Sequence, residues 1–493
     1  MAAKSRKTSR YTETERKFDV VEATVTPSFD GLSSISRVER SPSQQLDAVY
    51  FDTPARDLAR HRITLRRRTG GPDAGWHLKL PAGPDTRTEV RMPLADDDAP
   101  AMVPVNLRDV VLAIVRDSPL TPVARISTSR TVEMLYGPDG AAVAEFCDDQ
   151  VDASAEGSGE QRWREWELEL APGGSPTVFD RLTQRLLDAG ALPAGHGSKL
   201  ARALADSEPP TAFADASADP LHRAVAEQVA ELLKWDRAVR SDVDDSVHQM
   251  RVTTRKIRSL LQSAQGSFGI TDDEWILVEL RELARVLGVA RDAEVLAQRY
   301  ERALEELPEA VVRGPVRARL VEGAHQRYQS GWRRSLTAMR SPRYFRLLDA
   351  LEALVAAEPP APPPGTESTR AKVSSAYKRI RKAAKAAAAA DTDENEALHR
   401  IRKRAKRLRY TAAATGANKV AERAKTIQTL LGDHHDSVVS RSHLSRQADL
   451  AHAAGEDTFT YGLLYQQEQD LAQRCEDQLP AALKKLRKAA RSA

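Results

Sequence analysis

The spacing of apolar residues changes once along the chain, and this change divides the sequence into two regions. Before Asp206, short segments such as WHLKL at Trp76 and WREWELEL at Trp163 alternate apolar and polar residues, with Gly and Pro between them. This period of two is typical of antiparallel strands. After Pro220, Leu-, Ala- and Arg-rich segments follow the helical period of 3.6. We therefore predict a multidomain α+β chain, with a β domain followed by an all-α domain.

Two Pro-rich segments mark the predicted domain boundaries. DSEPPTAFADASADP, from Asp206 to Pro220, indicates a linker, and AEPPAPPPGTEST, from Ala357, indicates a spacer because clustered Pro residues cannot continue a helix. The predicted order is a disordered N-terminus at 1–10, a β domain at 11–205, the linker at 206–220 and a helical domain at 221–490. The helical domain has halves at 221–356 and 370–490, on either side of the spacer at 357–369.

Charge is distributed unevenly between the two regions. Residues 1–206 carry 27 Lys or Arg against 31 Asp or Glu, a net charge of −4, and residues 207–493 carry 47 against 39, a net charge of +8. A basic helical region of this kind favours a polyanionic partner.

Several protein classes are excluded by composition. No apolar run approaches the roughly 20 residues that a membrane helix needs, and no apolar segment follows the basic start of the chain. We therefore expect no membrane span and a cytoplasmic location. Cys147 and Cys475 are too few for a disulfide framework or a structural zinc site.

Charged residues alternate along the predicted strands. Glu13, Glu15 and Lys17 stand two residues apart and therefore share one face of a strand. The same alternation recurs at Arg66 and Arg68, His77 and Lys79, Arg87 and Glu89, Glu145 and Asp149, and Glu165, Glu167 and Glu169. One such strand fits a half-solvated sheet. Together they predict a sheet face on which acidic and basic residues are sorted by strand.

A sheet face with acidic and basic residues on separate strands is suited to binding a triphosphate. Lys and Arg bind phosphate oxygens, and carboxylates hold Mg²⁺ or Mn²⁺, which activates water for hydrolysis. The sequence has no Gly-rich loop ending in Gly-Lys-Ser/Thr, which excludes a P-loop nucleotidase.

An ordered set of motifs resembles the CYTH domain of triphosphate tunnel metalloenzymes. The set is Glu13-x-Glu15-x-Lys17, Tyr50-Phe51-Asp52-Thr53, LRRR at Leu65, WHLKL at Trp76, EWELEL and Ser198-Lys199. The resemblance covers about residues 10–205 and implies an eight-stranded antiparallel tunnel with charged side chains in its lumen.

The resemblance also implies roles for individual residues. The phosphate-binding and catalytic cations would be Lys17, Arg66, Arg68, Lys79, Arg130 and Lys199, with Arg125 fitting less closely. The metal ligands would be Glu13, Glu15, Asp149, Glu167 and Glu169, and Glu89 would extend the acidic lining. Glu145 and Glu165 fit the alternation but match the family pattern less closely. Inorganic triphosphate is favoured over thiamine triphosphate, RNA 5′-triphosphates or ATP only because the second domain points to inorganic polyphosphate.

The helical region contains an internal repeat. VHQMRVTTRKIR from Val247 aligns with LHRIRKRAKRLR from Leu398, and LGVARDAEV from Leu287 aligns with LGDHHDSVV from Leu431. Two matched segments in the same order predict a duplicated helical unit. In a helix, offsets of 0, 3, 7 and 10 fall within an arc of about 80°. Each copy therefore carries a basic stripe headed by His: His248, Arg251, Arg255 and Arg258, and then His399, Arg402, Lys406 and Arg409.

These two basic stripes, with LGVARDAEV and LLGDHHDSVV, resemble the CHAD domain over about residues 220–490. The resemblance implies two pseudo-symmetric four-helix bundles and a groove that binds polyphosphate through the eight stripe residues, supported by Lys256, Lys403 and Arg407. His434-His435-Asp436 lacks a third metal ligand at a defined spacing, which argues against a metal site there. Arg291 stands where the second repeat has His435, and its role is left open.

The leading hypothesis is a Mg²⁺- or Mn²⁺-dependent triphosphatase joined to a polyphosphate-binding module. A second is a non-catalytic polyphosphate-binding or granule-associated protein. A third is a nucleic-acid-binding protein, against which the stripes offer a single aromatic residue, Tyr410, for base stacking. The sequence selects neither the triphosphate, nor the metal, nor the oligomeric state.

Overall fold

A computed structural model describes residues 9–94, 102–155, 157, 159–205, 220–263, 268–271, 274–357, 369–388 and 394–491. The chain forms two compact units, residues 1–214 and 215–493. The predicted linker at 206–220 and spacer at 357–369 lie almost entirely outside the described residues. Of the predicted disordered N-terminus, residues 9 and 10 already belong to the first strand.

The first unit is a closed antiparallel barrel. Its strands are β1 (Ser9–Val20), β2 (Arg37–Arg40), β3 (Gln44–Asp52), β4 (Thr64–Thr69), β5 (Gly75–Pro81), β6 (Thr86–Pro93), β7 (Thr121–Tyr136), β8 (Ala142–Ala155), β9 (Gln161–Leu170) and β10 (Leu192–Pro193). Eight of them follow the order β1-β6-β5-β4-β3-β7-β8-β9, and β9 pairs back with β1. The short β2 and β10 pair outside this ring, with β7 and β1. The predicted eight-stranded tunnel is thus confirmed.

Strand β1 closes the barrel by changing partner half-way along its length. Residues 9–14 pair with β6, and residues 15–20 pair with β9. Because successive side chains of a strand alternate between its faces, Glu13, Glu15 and Lys17 point into the lumen, while Phe18 packs outside. The motif of Glu13 to Lys17 therefore lies across the seam of the barrel.

Apolar side chains cover the outside of the barrel. Five short helices contribute, namely α1 (Asp57–Arg60), α2 (Val105–Val110), α3 (Leu112–Val115), α4 (Pro176–Asp188) and α5 (Lys199–Ala203). Phe179 and Leu182 of α4 pack on Phe146 and Trp166 of the sheet. A second core lies inside one end of the barrel, where Leu200 of α5 packs against the inner faces of β3, β7, β8 and β9, including Tyr50 and Ile126 of the cavity lining. Because the strands are covered outside and face a cavity inside, the lumen carries the charges.

The second unit is helical. Its helices are α6 (Pro220–Arg240), α7 (Ser246–Ser263), α8 (Trp275–Glu305), α9 (Gly323–Met339), α10 (Pro342–Ala356), α11 (Thr369–Ala388), α12 (Glu394–Ala414), α13 (Asn418–Ala453) and α14 (Phe459–Arg491). A 3₁₀ turn at Glu309–Val311 and a π-helical turn at Ala318–Glu322 precede α9. Within the described ranges, none of the helices combines the length and apolarity needed to cross a membrane.

The two repeat copies occupy equivalent helices in the two halves. Helices α11 to α14 form a four-helix bundle whose core includes Ile380, Leu408, Ile427 and Leu486, one from each helix. In the first half, α6 to α9 pack in succession, and α10 packs on α6 and α8 as one more helix than predicted. Asp236 of α6 anchors α10 by accepting a hydrogen bond of 2.9 Å from the Tyr344 hydroxyl. In the internal repeat, α7 is therefore equivalent to α12, and α8 is equivalent to α13.

Candidate functional site

The lumen of the barrel is a cavity of about 640 Å³. Ten of the predicted site residues line it: Glu13, Glu15, Lys17, Arg66, Arg68, Lys79, Arg130, Glu167, Glu169 and Lys199. Glu145 also lines the cavity. By contrast, Arg125 lies on the outer face of β7, since its position has the opposite parity to Arg130 and it lines a separate outer groove. The cavity therefore gathers side chains that are up to 186 positions apart in the sequence, from Glu13 to Lys199.

One part of the lumen holds compact ion pairs. Lys199 Nζ lies 2.8 Å from Asp149, 2.7 Å from Glu165 and 2.7 Å from Glu167. Arg130 binds both carboxylate oxygens of Asp149, at 2.8 and 2.6 Å. Burial raises the pKa of Asp149, but Arg130 and Lys199 outweigh this effect and hold that pKa below its usual value. Asp149 and Glu167 are therefore ionised and already paired with cations.

A second group of carboxylates is less well neutralised. Glu169 lies opposite both Glu145 of β8 and Glu15 of β1 in the strand register. Burial, and then the charges of Glu13 and Glu145, raise the pKa of Glu169 to about 7. Burial also raises the pKa of Glu13, although Lys79 Nζ lies 2.5 Å from its carboxylate. We call Glu13, Glu145 and Glu169 the acidic pole of the tunnel.

Two arginines of β4 form a basic pole in the same cavity. The Arg66 guanidinium donates a hydrogen bond of 3.3 Å to the Tyr50 hydroxyl, and no carboxylate among the described residues forms an ion pair with it. Arg68 pairs with Asp73. Burial, and then the charges of Arg66 and Arg130, lower the pKa of Arg68 to about 9. Mutual repulsion of this kind marks a place where an anion binds favourably.

Glu89 lies between Arg87 and Arg91 on the lumen-facing side of β6 and is fully buried. Its carboxylate is 2.8 Å from His77 Nδ1, and it accepts a hydrogen bond of 2.8 Å from Arg91 Nε and another from the Tyr11 hydroxyl. Three partners occupy most of its oxygen lone pairs. Glu89 therefore holds these neighbours in place from the lumen-facing side of β6.

The Tyr50-Phe51-Asp52-Thr53 motif has a structural role. Asp52 accepts backbone hydrogen bonds from Thr53, Leu58 and Ala59, at 2.7, 2.9 and 3.0 Å. These bonds satisfy free amides at the start of α1, as helix-capping carboxylates do. The motif thus ends β3 and directs the chain towards β4, which carries the basic pole.

The helical unit contains a groove of about 1040 Å³, lined by α7, α8, α11 and α12. Four predicted stripe residues line it: Arg251, Arg255, Arg258 and Lys406. The predicted supports Lys403 and Arg407 also line it, together with six further cations: Arg281, Arg285, Arg379, Lys382, Arg400 and Arg404. None of the lining residues that the structure describes is acidic or aromatic. The groove is therefore a strongly cationic surface built from both halves.

One arginine of each stripe contacts the third helix of its half. The Arg251 guanidinium lies over Gly288, where an added Cβ would be 3.4 Å from Nε, and the Arg402 guanidinium lies over Gly432, where a Cβ would be 3.6 Å from Nη2. These pairs are equivalent in the repeat. The glycine of each LG pair thus lets an arginine lie against the helix backbone.

The two histidines that head the stripes lie beside the groove. Burial, and then Arg291, lower the pKa of His248, and burial, and then Lys403, lower the pKa of His399. The His399 ring lies 5.2 Å from the His435 ring, measured between centroids. Arg409 donates a hydrogen bond of 3.3 Å to Gln428. Arg291 pairs with Glu294 at 2.8 Å, on the helix that is equivalent to the one carrying His435.

Sequence comparison connects both sites with known families. The CYTH domain family matches residues 12–204, and the CHAD domain family matches residues 223–445. Two proteins of Mycobacterium tuberculosis, both described as uncharacterized, are 62% identical to the chain over the full length of each. The chain is a CYTH–CHAD protein.

Two solved structures resemble this CYTH–CHAD protein at low identity. PptA from Streptomyces chartreusis is 19% identical with a TM-score of 0.46, and the match covers 55% of this chain and all of PptA. The CHAD domain from the plant Ricinus communis is 21% identical with a TM-score of 0.40, and the match covers 57% of this chain and 93% of that domain.

The donor set of the CYTH domain fits a divalent cation. Asp149, Glu165 and Glu167 bring one oxygen each to within 4.8 Å of one another, but the Lys199 ammonium already lies among them. The acidic pole is less tightly gathered and keeps an excess of negative charge, as the raised pKa of Glu169 shows. Carboxylate oxygens are the preferred ligands of Mg²⁺ and Mn²⁺. The acidic pole therefore has the larger excess of negative charge, whereas Asp149 and Glu167 of the predicted metal set are paired with cations.

Several lumen and groove residues were not predicted. Arg87 donates towards Glu15 at 3.2 Å, and Arg91 and Tyr11 hold Glu89. The alternation along β1 and β6 marks all three as lumen-facing, so this signal was available in the sequence. Arg281 and Arg379 lie outside the repeat segments, and only the packing of α8 and α11 brings them to the groove.

Proposed function

We propose that the CYTH domain hydrolyses inorganic triphosphate with Mg²⁺ or Mn²⁺ and that the CHAD domain binds inorganic polyphosphate. The observation that carries the first part is the presence of an acidic pole and a basic pole in one cavity of about 640 Å³. A triphosphate with a divalent cation has the complementary arrangement, because its oxygens need cations and its metal needs carboxylates.

Different residues of the lumen have different roles in the proposed hydrolysis. Glu13, Glu145 and Glu169 would hold the divalent ion, which would neutralise the terminal phosphoryl group and activate water when bound. Arg66 and Arg68 bind phosphate oxygens and stabilise the charge that develops as the phosphoanhydride bond breaks. The carboxylates of Asp149, Glu165 and Glu167 hold three further cations of the lumen in place: Lys17, Arg130 and Lys199. Water attacks the terminal phosphorus, and the products are orthophosphate and diphosphate.

A phosphate-release assay tests the hydrolase. Triphosphate, long-chain polyphosphate, thiamine triphosphate and ATP are compared, each with Mg²⁺ and with Mn²⁺. We expect metal-dependent release from inorganic triphosphate and a loss of at least about 100-fold in Glu13→Gln, because a metal ligand is removed. Glu160→Gln, which changes an exposed carboxylate outside the lumen, is the matched control and should keep parental turnover. Parental turnover in Glu13→Gln would overturn the assignment.

The alternative is a non-catalytic polyphosphate-binding or granule-associated protein. The same panel separates the two, since this alternative expects no phosphate release from any substrate while polyphosphate still binds. The presence of both poles in the lumen favours the enzyme.

The observation that carries polyphosphate binding is the groove with twelve lining cations from both halves. A polyanion that displaces counterions from such a surface binds less tightly as salt rises. A long chain reaches cations of both halves at once and gains from their linkage, whereas triphosphate does not. The aromatic-free lining offers no platform for stacked bases, which favours polyphosphate over nucleic acid.

Binding is tested with a quadruple variant, Arg251→Ala, Arg255→Ala, Lys406→Ala and Arg409→Ala. We expect much weaker binding of long-chain polyphosphate and unchanged triphosphate hydrolysis. The matched control replaces four exposed cations of α13 and α14 outside the groove: Lys425, Lys484, Lys485 and Arg487. Equal affinity of both variants at near-physiological salt would show that the groove is not the binding surface.

A further inference from the structure

Lys406 lies where the two basic stripes meet. It is carried by α12 and lines the groove, with its ammonium 5.7 Å from the ring of Tyr410. Four arginines act on it, Arg251 and Arg255 from α7 and Arg402 and Arg409 from α12. One lysine is thus placed among four arginines drawn from both halves of the domain.

This cluster has one member that can give up its charge. A guanidinium holds its proton more tightly than an ammonium, so a lysine that is buried or placed among other cations loses its proton before the arginines around it. Burial, followed by Arg255, Arg402, Arg251 and Arg409, lowers the pKa of Lys406 to about 7. The repulsion within the open groove is therefore relieved at Lys406.

We propose that binding of a polyanion in the groove is coupled to the uptake of one proton by Lys406, which is a neutral amine in the open groove above neutral pH and an ammonium when phosphate oxygens fill it. This inference rests on the proposed polyphosphate binding. Phosphate oxygens favour the charged form of a nearby lysine, and the linkage is reciprocal, so protonation tightens binding by the same factor.

The coupling has a defined sign and pH range. Below about pH 7, Lys406 is charged in both states and adds no pH dependence. Above it, the open groove has lost the proton while the filled groove keeps it, so affinity falls by up to about tenfold for each pH unit. The fall ends where the pH exceeds the pKa of Lys406 in the complex.

The histidines and the tyrosine near Lys406 do not change charge in the open groove between pH 7 and pH 9. Burial, and then Lys403, lower the pKa of His399, and burial, and then Arg402, lower the pKa of His435, so both rings are neutral there. His248 is neutral for the same reason, since burial and Arg291 lower its pKa. Burial raises the pKa of the Tyr410 phenol, which therefore stays protonated. Between pH 7 and pH 9, Lys406 is therefore the only one of these groups whose charge changes in the open groove.

Calorimetry with long-chain polyphosphate and the full-length protein tests the proposal. Titrations at pH 8 in two buffers with different ionisation enthalpies give the number of protons taken up. We expect nearly one proton for the parent and nearly none for Lys406→Arg, which keeps the charge at every pH. Affinity should fall between pH 7 and pH 9 in the parent and stay level in Lys406→Arg. Lys425→Arg, at an exposed lysine of α13 outside the groove, should behave as the parent.

Two outcomes would overturn the coupling. The first is binding without proton uptake in the parent, and the second is equal uptake in the parent and in Lys406→Arg, which would assign the proton to a histidine. Failure of polyphosphate to bind at all would instead refute the proposed function. In that case, an NMR titration of the lysine ammonium groups decides the state of the open groove: a signal that titrates near pH 7 and is missing in Lys406→Arg supports our inference, and a Lys406 signal that titrates above about pH 10 refutes it.

Discussion

The tunnel and the groove both concentrate charge, but they balance it in different ways. In the tunnel, strand alternation places carboxylates and cations on one surface, and most of them neutralise each other, as Lys199 does among three carboxylates. In the groove, helical periodicity collects cations alone. A tunnel of this kind can hold a metal and a phosphate together, whereas the groove can only bind anions. The two sites should therefore respond oppositely to the loss of a cation.

The largest loss of unfolding free energy is expected for Arg130→Met in the tunnel. This change keeps the volume of the side-chain stem but leaves the fully buried Asp149 without two hydrogen bonds. Loss of one partner from a buried ion pair costs about 3–5 kcal/mol of unfolding free energy. Urea unfolding of the full-length protein measures it. Arg162→Met on β9 breaks an exposed pair with Asp152 and should cost less than about 1 kcal/mol.

A smaller change in stability is expected at the acidic pole when the pH rises in the presence of a metal chelator. Because the pKa of Glu169 is raised to about 7 in the folded protein, its protonated form stabilises the fold below the unfolded value, near pH 4.5, and this stabilisation is lost as pH rises through 7. The difference in unfolding free energy between the parent and Glu169→Gln should therefore shift by about 1–3 kcal/mol between pH 4.5 and pH 8. A pH-independent difference would show that Glu169 is ionised throughout.

Loss of a cation from the groove should stabilise the protein slightly. Arg255→Met removes a charge that repels Arg251, Arg258, Arg402 and Lys406. We expect a gain of up to about 1 kcal/mol at low salt, because like-charge pairs destabilise by a few tenths each. The gain should shrink in high salt, where such repulsion is screened. A loss as large as that in Arg130→Met would contradict the contrast between the sites.

The smallest effect is expected for Gly432→Ala. The added methyl group would contact the Arg402 guanidinium at 3.6 Å without a clash, and alanine favours the helix by up to about 1 kcal/mol. Stability should therefore stay equal or rise slightly in thermal unfolding. Gly288→Ala is the matched change in the other half and should give the same sign. A marked loss in one variant alone would show that the two halves are packed differently around their glycines.

Local sequence patterns predicted which side chains share one face of a strand. Only the packing of the folded chain determined which of these side chains pair with each other. The period of two along β1 and β9 was enough to place Glu13, Glu15 and Glu167 on one surface. It could not show that Glu165 and Glu167 hold Lys199 while Glu169 lacks such a partner, because this depends on the register of β8, β9 and β1 and on the reach of α5. The eightfold closure came from the family resemblance, since alternation does not say which strands pair.

The helical stripes show the same limit. Offsets of three and four residues correctly predicted that Arg251 and Arg255 share a helix face. They could not show that Arg402 lies against Gly432, or that Arg281 and Arg379 join the groove from other helices. Both facts depend on contacts between elements that are distant in sequence.

The seam in β1 has a consequence for how the protein is made. Strand β1 is complete when residue 20 leaves the ribosome, but half of it pairs with β9, which ends at residue 170. Half of the first strand therefore has no pairing partner until nearly the whole domain has been synthesised. Until then, its open edge is exposed to incorrect pairing with other strands. Helices α6 to α9 pack with their sequence neighbours and can assemble as they emerge. Nascent-chain protease protection should thus appear late for the tunnel, after residue 199 and its lysine have been added, and in steps for the helices.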